Sequence, residues 1–551
     1  MRSESDMRIW QRDSVILFVI CVAAFAIRLY RLVAFTAVIE NEGPFFVRLA
    51  TNLLGGKGYL GMAGIPDLSY APLYPILIAA ATPFTKSPEL AGRIVSVLFG
   101  SLLVLPMYFL ARQLYGRNTA LVCATLTALH PVLIAYSAAV YNETVYLVLL
   151  AAGECAALYF LRLSTLKWEA LTGLFFGLAY LTRPEAMFFP LLAVLAVFLL
   201  TLLRKGNLKS AALGSAVLLV FFGAFAAGYV AFLSSHTGKL SFQTKGKLNY
   251  TIGKRFSQGM PYDQASSGIR DDLTIEGPFL DPMRYSTYTP YGWTPPALIK
   301  YLFTMAKRNV SGVESLLTGI GFGEILFGLA VLGLFREAWD EWVSVANLFL
   351  VANLLLISAV ILQVHLLQFR YVIPFYPFFI LWASHGVIQL ADWTKSTFKS
   401  ASVPGGTATA QLFLYGAIAL LLVSATREVK WNSEIQEGGA ENSPAKVAGS
   451  WLGQHSSPGM AVMTAGDSTV PFYAGGTLSL LPYTESAVAL RYIQSKNPSF
   501  VVLNSTELGK RPYLRDWLQH GIPDSHATIV YDSGGNADTR IAIYQWHPSR
   551  D

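Results

Sequence analysis

Hydrophobicity along this chain comes in long blocks. Val15 to about Val38 is an apolar run broken by Arg28 and Arg31. Six more runs follow at about Leu90 to Leu110, Thr119 to Tyr136, Thr144 to Phe160, Trp168 to Leu181, Ala186 to Leu203 and Ala211 to Leu233. After a long polar interval come Leu316 to Leu334, Trp342 to Leu362, Tyr371 to Leu390 and Leu412 to Val423. Crossing a bilayer takes roughly 20 apolar residues in helical form, so the pattern predicts about eleven spans, the shorter runs lying at the lower limit. The first run is longer than the apolar part of a signal peptide and lacks a small-residue cleavage site, so it is expected to be retained. From about residue 427 the pattern changes. Short apolar stretches such as Met460–Met463, Phe500–Leu503, Thr528–Tyr531 and Ile541–Tyr544 are separated by helix-like segments at Ala445–Leu452 and Ala487–Ser495. Strands alternating with helices predict a small α/β domain with a partly parallel sheet. The expected organisation is a polytopic α-helical membrane domain over residues 1–426, with outer loops 38–88 and 234–315, and a separate α/β domain over 427–551.

Composition agrees with the membrane assignment: 53% of the 551 residues are hydrophobic and only 14% charged, against about 25% charged in soluble domains. The formal net charge of +7 is spread over short loops. It argues for membrane orientation and anionic lipid headgroups, not for nucleic acid. Cys21, Cys123 and Cys155 all fall in apolar runs, which excludes a disulfide framework and a cysteine metal site as organising features. Arg112 and Arg117, Arg162 and Lys167, Arg204 with Lys205 and Lys209, and Lys395 with Lys399 alternate with turns poor in basic residues. By the positive-inside rule these loops and the N-terminus are cytoplasmic. The Glu40 loop, the Tyr136–Glu143 turn, the Leu181–Glu185 turn, segment 234–315, the His365–Tyr371 turn and the C-terminal domain then share one extracytoplasmic face.

Glu40-Asn41-Glu42 stands directly after the first span, ahead of the Gly- and Pro-rich stretches Gly55-Gly56-Lys57-Gly58-Tyr59 and Pro72-Leu73-Tyr74-Pro75. Carboxylates at that depth are costly unless they line a polar cavity. They either begin a solvated loop or serve a site. Segment 234–315 holds Lys239, Lys245, Lys247, Lys254 and Arg255 interleaved with Tyr250 and Phe256; it is either a basic flap over a site or a solvated loop. In the C-terminal part, Asp467-Ser468-Thr469-Val470-Pro471-Phe472-Tyr473-Ala474-Gly475-Gly476 reads as a ligand loop or, more simply, an ordinary connection.

Together, Glu40-Asn41-Glu42, Asn52–Tyr59, Ala71–Pro75, Gly92-Arg93, Leu181-Thr182-Arg183-Pro184-Glu185 and Arg370-Tyr371-Val372-Ile373-Pro374 resemble the GT-C glycosyltransferases. The branch resembled includes the dolichyl-phosphate-mannose protein mannosyltransferases and the lipid A aminoarabinose transferase. The resemblance covers about residues 10–390. It implies a polyprenyl-phosphate-linked sugar donor, transfer on the extracytoplasmic side with inversion, a lipid, glycan or protein acceptor, and a bacterial inner-membrane location. It also implies an acidic motif in the first outer loop, one that often begins with Asp, whereas Glu40-Asn41-Glu42 stands here.

Such a transfer needs a base for the acceptor hydroxyl and cations for the phosphate as its charge grows. Glu40 is the first choice of base, being nearest the end of span one, and Glu42 the second. Glu143 either assists or is a helix N-terminal carboxylate favoured by the macrodipole. Arg370, Arg183 and then Arg93 are the phosphate-binding candidates, since guanidinium pairs bidentately with phosphate oxygens; each is otherwise an interfacial anchor. Tyr371 and His365 accompany Arg370. No cofactor is predicted, although some members of the wider superfamily use a divalent metal, which Glu40, Glu42 and Glu143 would be the residues to ligate. The rival class is a lipid or solute transporter or flippase, because intramembrane charges also mark transport paths; the sequence lacks the paired halves such proteins often show.

Overall fold

The computed structural model describes residues 4–34, 38–39, 41–163, 165–275, 295–318, 323–335, 340–364, 367–400, 443–534 and 539–548, with a few positions between 412 and 423. The helices of the first part are α1 (Glu4–Ala34), α2 (Gly43–Leu54), α3 (Leu73–Ala81), α4 (Pro88–Leu102), α5 (Val104–Leu129), α6 (Pro131–Ser137), α7 (Glu143–Leu163), α8 (Leu166–Tyr180), α9 (Phe188–Leu203), α10 (Leu208–Thr237), α11 (Lys245–Ser257) and α12 (Tyr262–Ser267). After them come α13 (Pro295–Thr318), α14 (Gly323–Phe335), α15 (Glu341–Leu362) and α16 (Tyr376–Ser400). Among the described residues seven helices are long and apolar enough to cross a membrane. One of these, Pro88–Leu129, is two passes. Gly116 at φ 84°, ψ −172° breaks α5, a conformation open essentially to glycine alone. Asp13 near the start of α1 pairs with Arg112 at 3.1 Å and Arg117 at 2.6 Å, on either side of that break. Fifteen residues further along α1, or roughly 20 Å at helical rise, Arg28 reaches the carbonyls of Thr127 and Ala128. The chain therefore runs down, turns at Gly116 and runs back, as the two apolar runs predict. The run at Leu412–Val423 lies for the most part outside the described residues.

Elsewhere the helices touch at small residues, as lipid-embedded packing favours. A methyl group at Gly333 or Gly386 would collide with the backbone of Trp382 or Leu329, so α14 and α16 meet backbone to backbone. The same holds for Gly173 of α8 against Leu218 of α10.

Loop 38–88, read from sequence as Gly- and Pro-rich, folds into α2 and α3. The first is amphipathic, with Phe46, Val47, Leu49 and Ala50 buried, and Pro44 in its first turn supplies a preset φ where no N–H is needed. Tyr74 at the start of α3 is fully buried and anchored to Ser96 Oγ at 2.8 Å.

The C-terminal part is a five-stranded sheet in the order β2-β1-β3-β5-β4, made of β1 (Ala461–Thr464), β2 (Thr477–Leu480), β3 (Phe500–Asn504), β4 (Ala527–Asp532) and β5 (Ile541–Trp546). β1 pairs in parallel with β2 and β3, whereas β5 is antiparallel to β3 and β4. Successive residues serve opposite faces: Met463, Val501, Leu503, Ala542 and Tyr544 pack with Trp517, while Val462, Phe500, Val502, Ile541 and Ile543 pack with Leu452. Both faces are covered, which explains why these strands read as continuous apolar runs. The mixed, partly parallel sheet expected from the pattern is present.

Candidate active site

Five segments distant in sequence converge at one end of the helical bundle. They are the approach to α2, the turn before α7, the Arg183–Glu185 turn, the first turn of α11, and the 3₁₀ segment Phe369–Phe375. Asn41 adopts φ 54°, tolerable for an asparagine, and its side-chain amide donates to the Tyr141 hydroxyl at 3.0 Å. That bend presents Glu42. Glu42 occupies the N-cap position of α2, yet its side chain makes no capping bond. Instead its carboxylate meets Arg370, Oε2 lying 2.7 Å from Nη1 and Oε1 accepting from Nη2 at 3.0 Å. The Lys245 ammonium is 3.5 Å from Oε1 and lies 4.1 Å from the centre of the Tyr70 ring. Burial alone would raise the Glu42 pKa; Arg370 first, then Lys245 and the more distant Arg183, outweigh it and hold the carboxyl at about 2. Glu42 is thus a stored negative charge between two cations.

A second pair lies beside the first. Arg183 Nε donates to Glu185 Oε1 at 2.6 Å, and its Nη1 is 3.5 Å from Glu143 Oε1. Its guanidinium also lies near the rings of Tyr146 and Tyr371, at 5.4 and 6.0 Å. Glu143 is buried, and its Oε2 faces no donor among the described residues.

Two cavities adjoin at this cluster. The larger, about 690 Å³, is lined by Glu42, Glu143, Arg183, Lys239, Lys245 and Arg370, with an apolar wall from Leu302, Val360, Ile361 and Val364. The smaller, about 330 Å³, is lined by Tyr136, Tyr141, Ser266 and Ser267 from the helical part and by Ala465, Gly466, Leu478, Leu480 and Lys510 from the sheet domain. Glu42, Tyr70, Tyr262, Gln368 and Arg370 line both. The Glu42–Arg370 pair stands where the two spaces meet.

Of the residues singled out from sequence, Glu42, Glu143, Arg183, Arg370 and Tyr371 come together here. Arg93 does not join them. It is buried in α4, where its guanidinium binds the Ala138 carbonyl at 3.2 Å and Glu89, one helical turn earlier, at 3.2 Å. Nearness to a span end fixes depth but not the face a side chain takes. Glu40 and His365 lie outside the described residues. Sequence reasoning noted Lys239 and Lys245 only as part of a basic segment and gave Glu185, Tyr70 and Lys510 no role. The interleaving of Lys245 with Tyr250 was the available signal. Among the described residues no three His, Cys, Asp or Glu side chains are grouped to hold a metal ion.

Residues 69–227 match the family described as dolichyl-phosphate-mannose-protein mannosyltransferase. No curated protein matches the chain significantly. Solved structures do. The oligosaccharyltransferase AglB from Archaeoglobus fulgidus, in complex with an inhibitory peptide and a dolichol-phosphate, superposes with TM-score 0.59 at 13% identity over 97% of this chain and 74% of its own. ArnT from Cupriavidus metallidurans, bound to undecaprenyl phosphate, superposes with TM-score 0.55 at 13% identity over 96% of this chain and 97% of its own. The protein has the GT-C glycosyltransferase fold. The expected resemblance is borne out by the family match over residues 69–227, and the helical architecture with an appended sheet domain by the two superpositions. In this GT-C protein the Glu42 loop belongs to the part preceding the matched segment, whereas Glu143 and Arg183 fall inside it.

Proposed function

We propose that this GT-C protein transfers a sugar from a polyprenyl-phosphate-linked donor to a hydroxyl-bearing acceptor, with inversion, at the extracytoplasmic face of a bacterial inner membrane. One observation carries the reading: Arg370 and Lys245 line the larger cavity, and what holds them there is the carboxylate of Glu42. A phosphate entering this cavity competes with Glu42 for the same cations. AglB and ArnT, solved with a dolichol-phosphate and with undecaprenyl phosphate, support a lipid phosphate as that entrant. The apolar wall of Val360, Ile361 and Val364 suits the first isoprene units.

The chemistry follows from the competition. The donor phosphate takes Arg370 and Lys245, with Arg183 beside them, and these cations stabilise the negative charge that gathers on phosphate as the anomeric C–O bond breaks. Glu42, relieved of its partners but still buried, becomes at least as basic as an ordinary carboxylate and accepts the proton of the acceptor hydroxyl, whose oxygen forms the new bond to the anomeric carbon from the opposite side. The acceptor enters by the smaller cavity, where four tyrosine hydroxyls, two serines and Lys510 provide polar contacts. Glu143, with its unpartnered oxygen, orients the reacting groups. Polyprenyl phosphate leaves as the second product. No metal takes part in this scheme.

The test is transfer from a panel of polyprenyl-phosphate sugars by purified protein in native-lipid nanodiscs, with membrane extract as acceptor and with and without chelator. Glu42→Gln should lower kcat about 100-fold or more while donor binding persists, and the product should carry the inverted anomer. A Glu42→Gln protein of wild-type rate would sink this assignment and pass the role to Glu40, tested by Glu40→Gln in the same assay.

A further inference from the structure

The stretch Asp467–Gly476, an ordinary connection by sequence, makes contacts that such a connection does not need. Tyr473 leaves the sheet domain and places its hydroxyl 3.4 Å from the backbone N–H of Ile39, from which it accepts, and 3.2 Å from Glu89 Oε2, to which it donates. Glu89 in turn holds Arg93. The next residues continue the contact: Arg48 of α2 donates to the carbonyls of Gly476 at 3.0 Å and Gly475 at 3.5 Å. Ile39 is fully buried and stands three residues before Glu42. The backbone between them is bent through Asn41 and held on its other side by Tyr141.

A carboxylate aimed at Arg370 across two cavities must be held to within a fraction of an ångström. Residues 38–39 and 41–42 belong to no helix or strand that could provide this. We infer that Tyr473 is a positioning residue for transfer: the sheet domain clamps the loop bearing Glu42 from outside, through Tyr473 on Ile39 and the Gly475–Gly476 carbonyls on Arg48. Arg93 and Glu89 serve this clamp and not the phosphate. The inference rests on the reading that Glu42 acts in transfer. Its structural half stands apart from that reading. Tyr473→Phe keeps the ring, and with it the packing against Phe472 and Lys446, but leaves a buried N–H without its acceptor.

Hydrogen–deuterium exchange and steady-state kinetics on the full chain in nanodiscs test both halves. With Tyr473→Phe, exchange across residues 38–48 should rise about tenfold or more, with strands 461–464 and 500–504 unchanged, and unchanged too at 262–268, the sheet domain's second contact, where the Tyr483 N–H donates to the Ser267 carbonyl at 2.7 Å. In the transfer assay kcat should fall about tenfold with donor KM within about twofold, because the cations that bind donor are untouched. Unchanged exchange at 38–48 would overturn the clamp. So would exchange rising equally at 262–268, which would mean that Tyr473 merely seats the whole domain. Faster loop exchange with undiminished kcat would overturn its role in transfer. If wild type transfers no sugar from any donor while the loop still loosens selectively, the clamp stands and the functional reading falls.

Discussion

Glu42 at about 2 is a weak base in the resting protein, against 4.5 for an unperturbed glutamate, and the two values differ by about 3 kcal/mol. That difference is the net stabilisation of the ionised form left after the cations have offset the cost of burial. It is present in full above the ordinary carboxylate range and is lost only as pH falls toward 2. If donor phosphate draws Arg370 and Lys245 away, that stabilisation is lost in the complex while the burial remains, and Glu42 titrates at or above its ordinary value. The two kinetic parameters then separate, since kcat/KM reports the free enzyme and kcat the complex. Between pH 6 and pH 4 kcat/KM for donor should stay flat, while kcat at saturating donor falls at least about fourfold. The donor phosphodiester remains a monoanion throughout and adds no titration of its own. Initial rates at five or six pH values in nanodiscs, with stability checked by reactivation at pH 7, measure both. Parallel profiles, or an acid limb confined to kcat/KM, would refute the competition between phosphate and Glu42 for the same cations.

Further expectations concern the neighbouring groups. Arg183→Ala should raise donor KM about tenfold or more, because it removes a guanidinium with two aligned carboxylates and a place in the larger cavity; isothermal binding of polyprenyl phosphate reads this without turnover. Lys510→Ala, confined to the smaller cavity, should raise acceptor KM several-fold and leave donor KM alone, which two-substrate kinetics separates. Gly116→Ala forces a β-carbon into a backbone conformation at φ 84° and should destabilise the protein by about 1–3 kcal/mol, seen as a lower unfolding temperature with unaltered KM values.

The spans were legible because apolar runs of this length have few other uses, and the sheet domain because its strands alternate with helical segments. The short helices α2 and α3 were not legible. Their sequences are cut by Pro and Gly, and their helicity depends on packing such as that of Tyr74 against Ser96. Single residue types at span ends pointed to Arg183 and Arg370, which the fold brings to the larger cavity. They also suggested Arg93, whose charge is absorbed by Glu89 one turn away. No local pattern joins Glu42 to Arg370 across 328 positions, or Ile39 to Tyr473 across 434. Those pairings exist only once the helices have assembled.

Arg28 bears on how the molecule is made. Within the apolar stretch of α1 it is fully buried, and among the described residues its hydrogen-bond partners beyond its own helix are Thr127, Ala128 and Ser137. A newly made α1 alone in the bilayer lacks those acceptors and carries an arginine that costs about 3 kcal/mol to insert. The residues that relieve this cost are synthesised roughly 100 positions later. Until the turn at Gly116 has brought the returning pass alongside, α1 alone in the bilayer is therefore expected to snorkel this arginine toward the lipid headgroups.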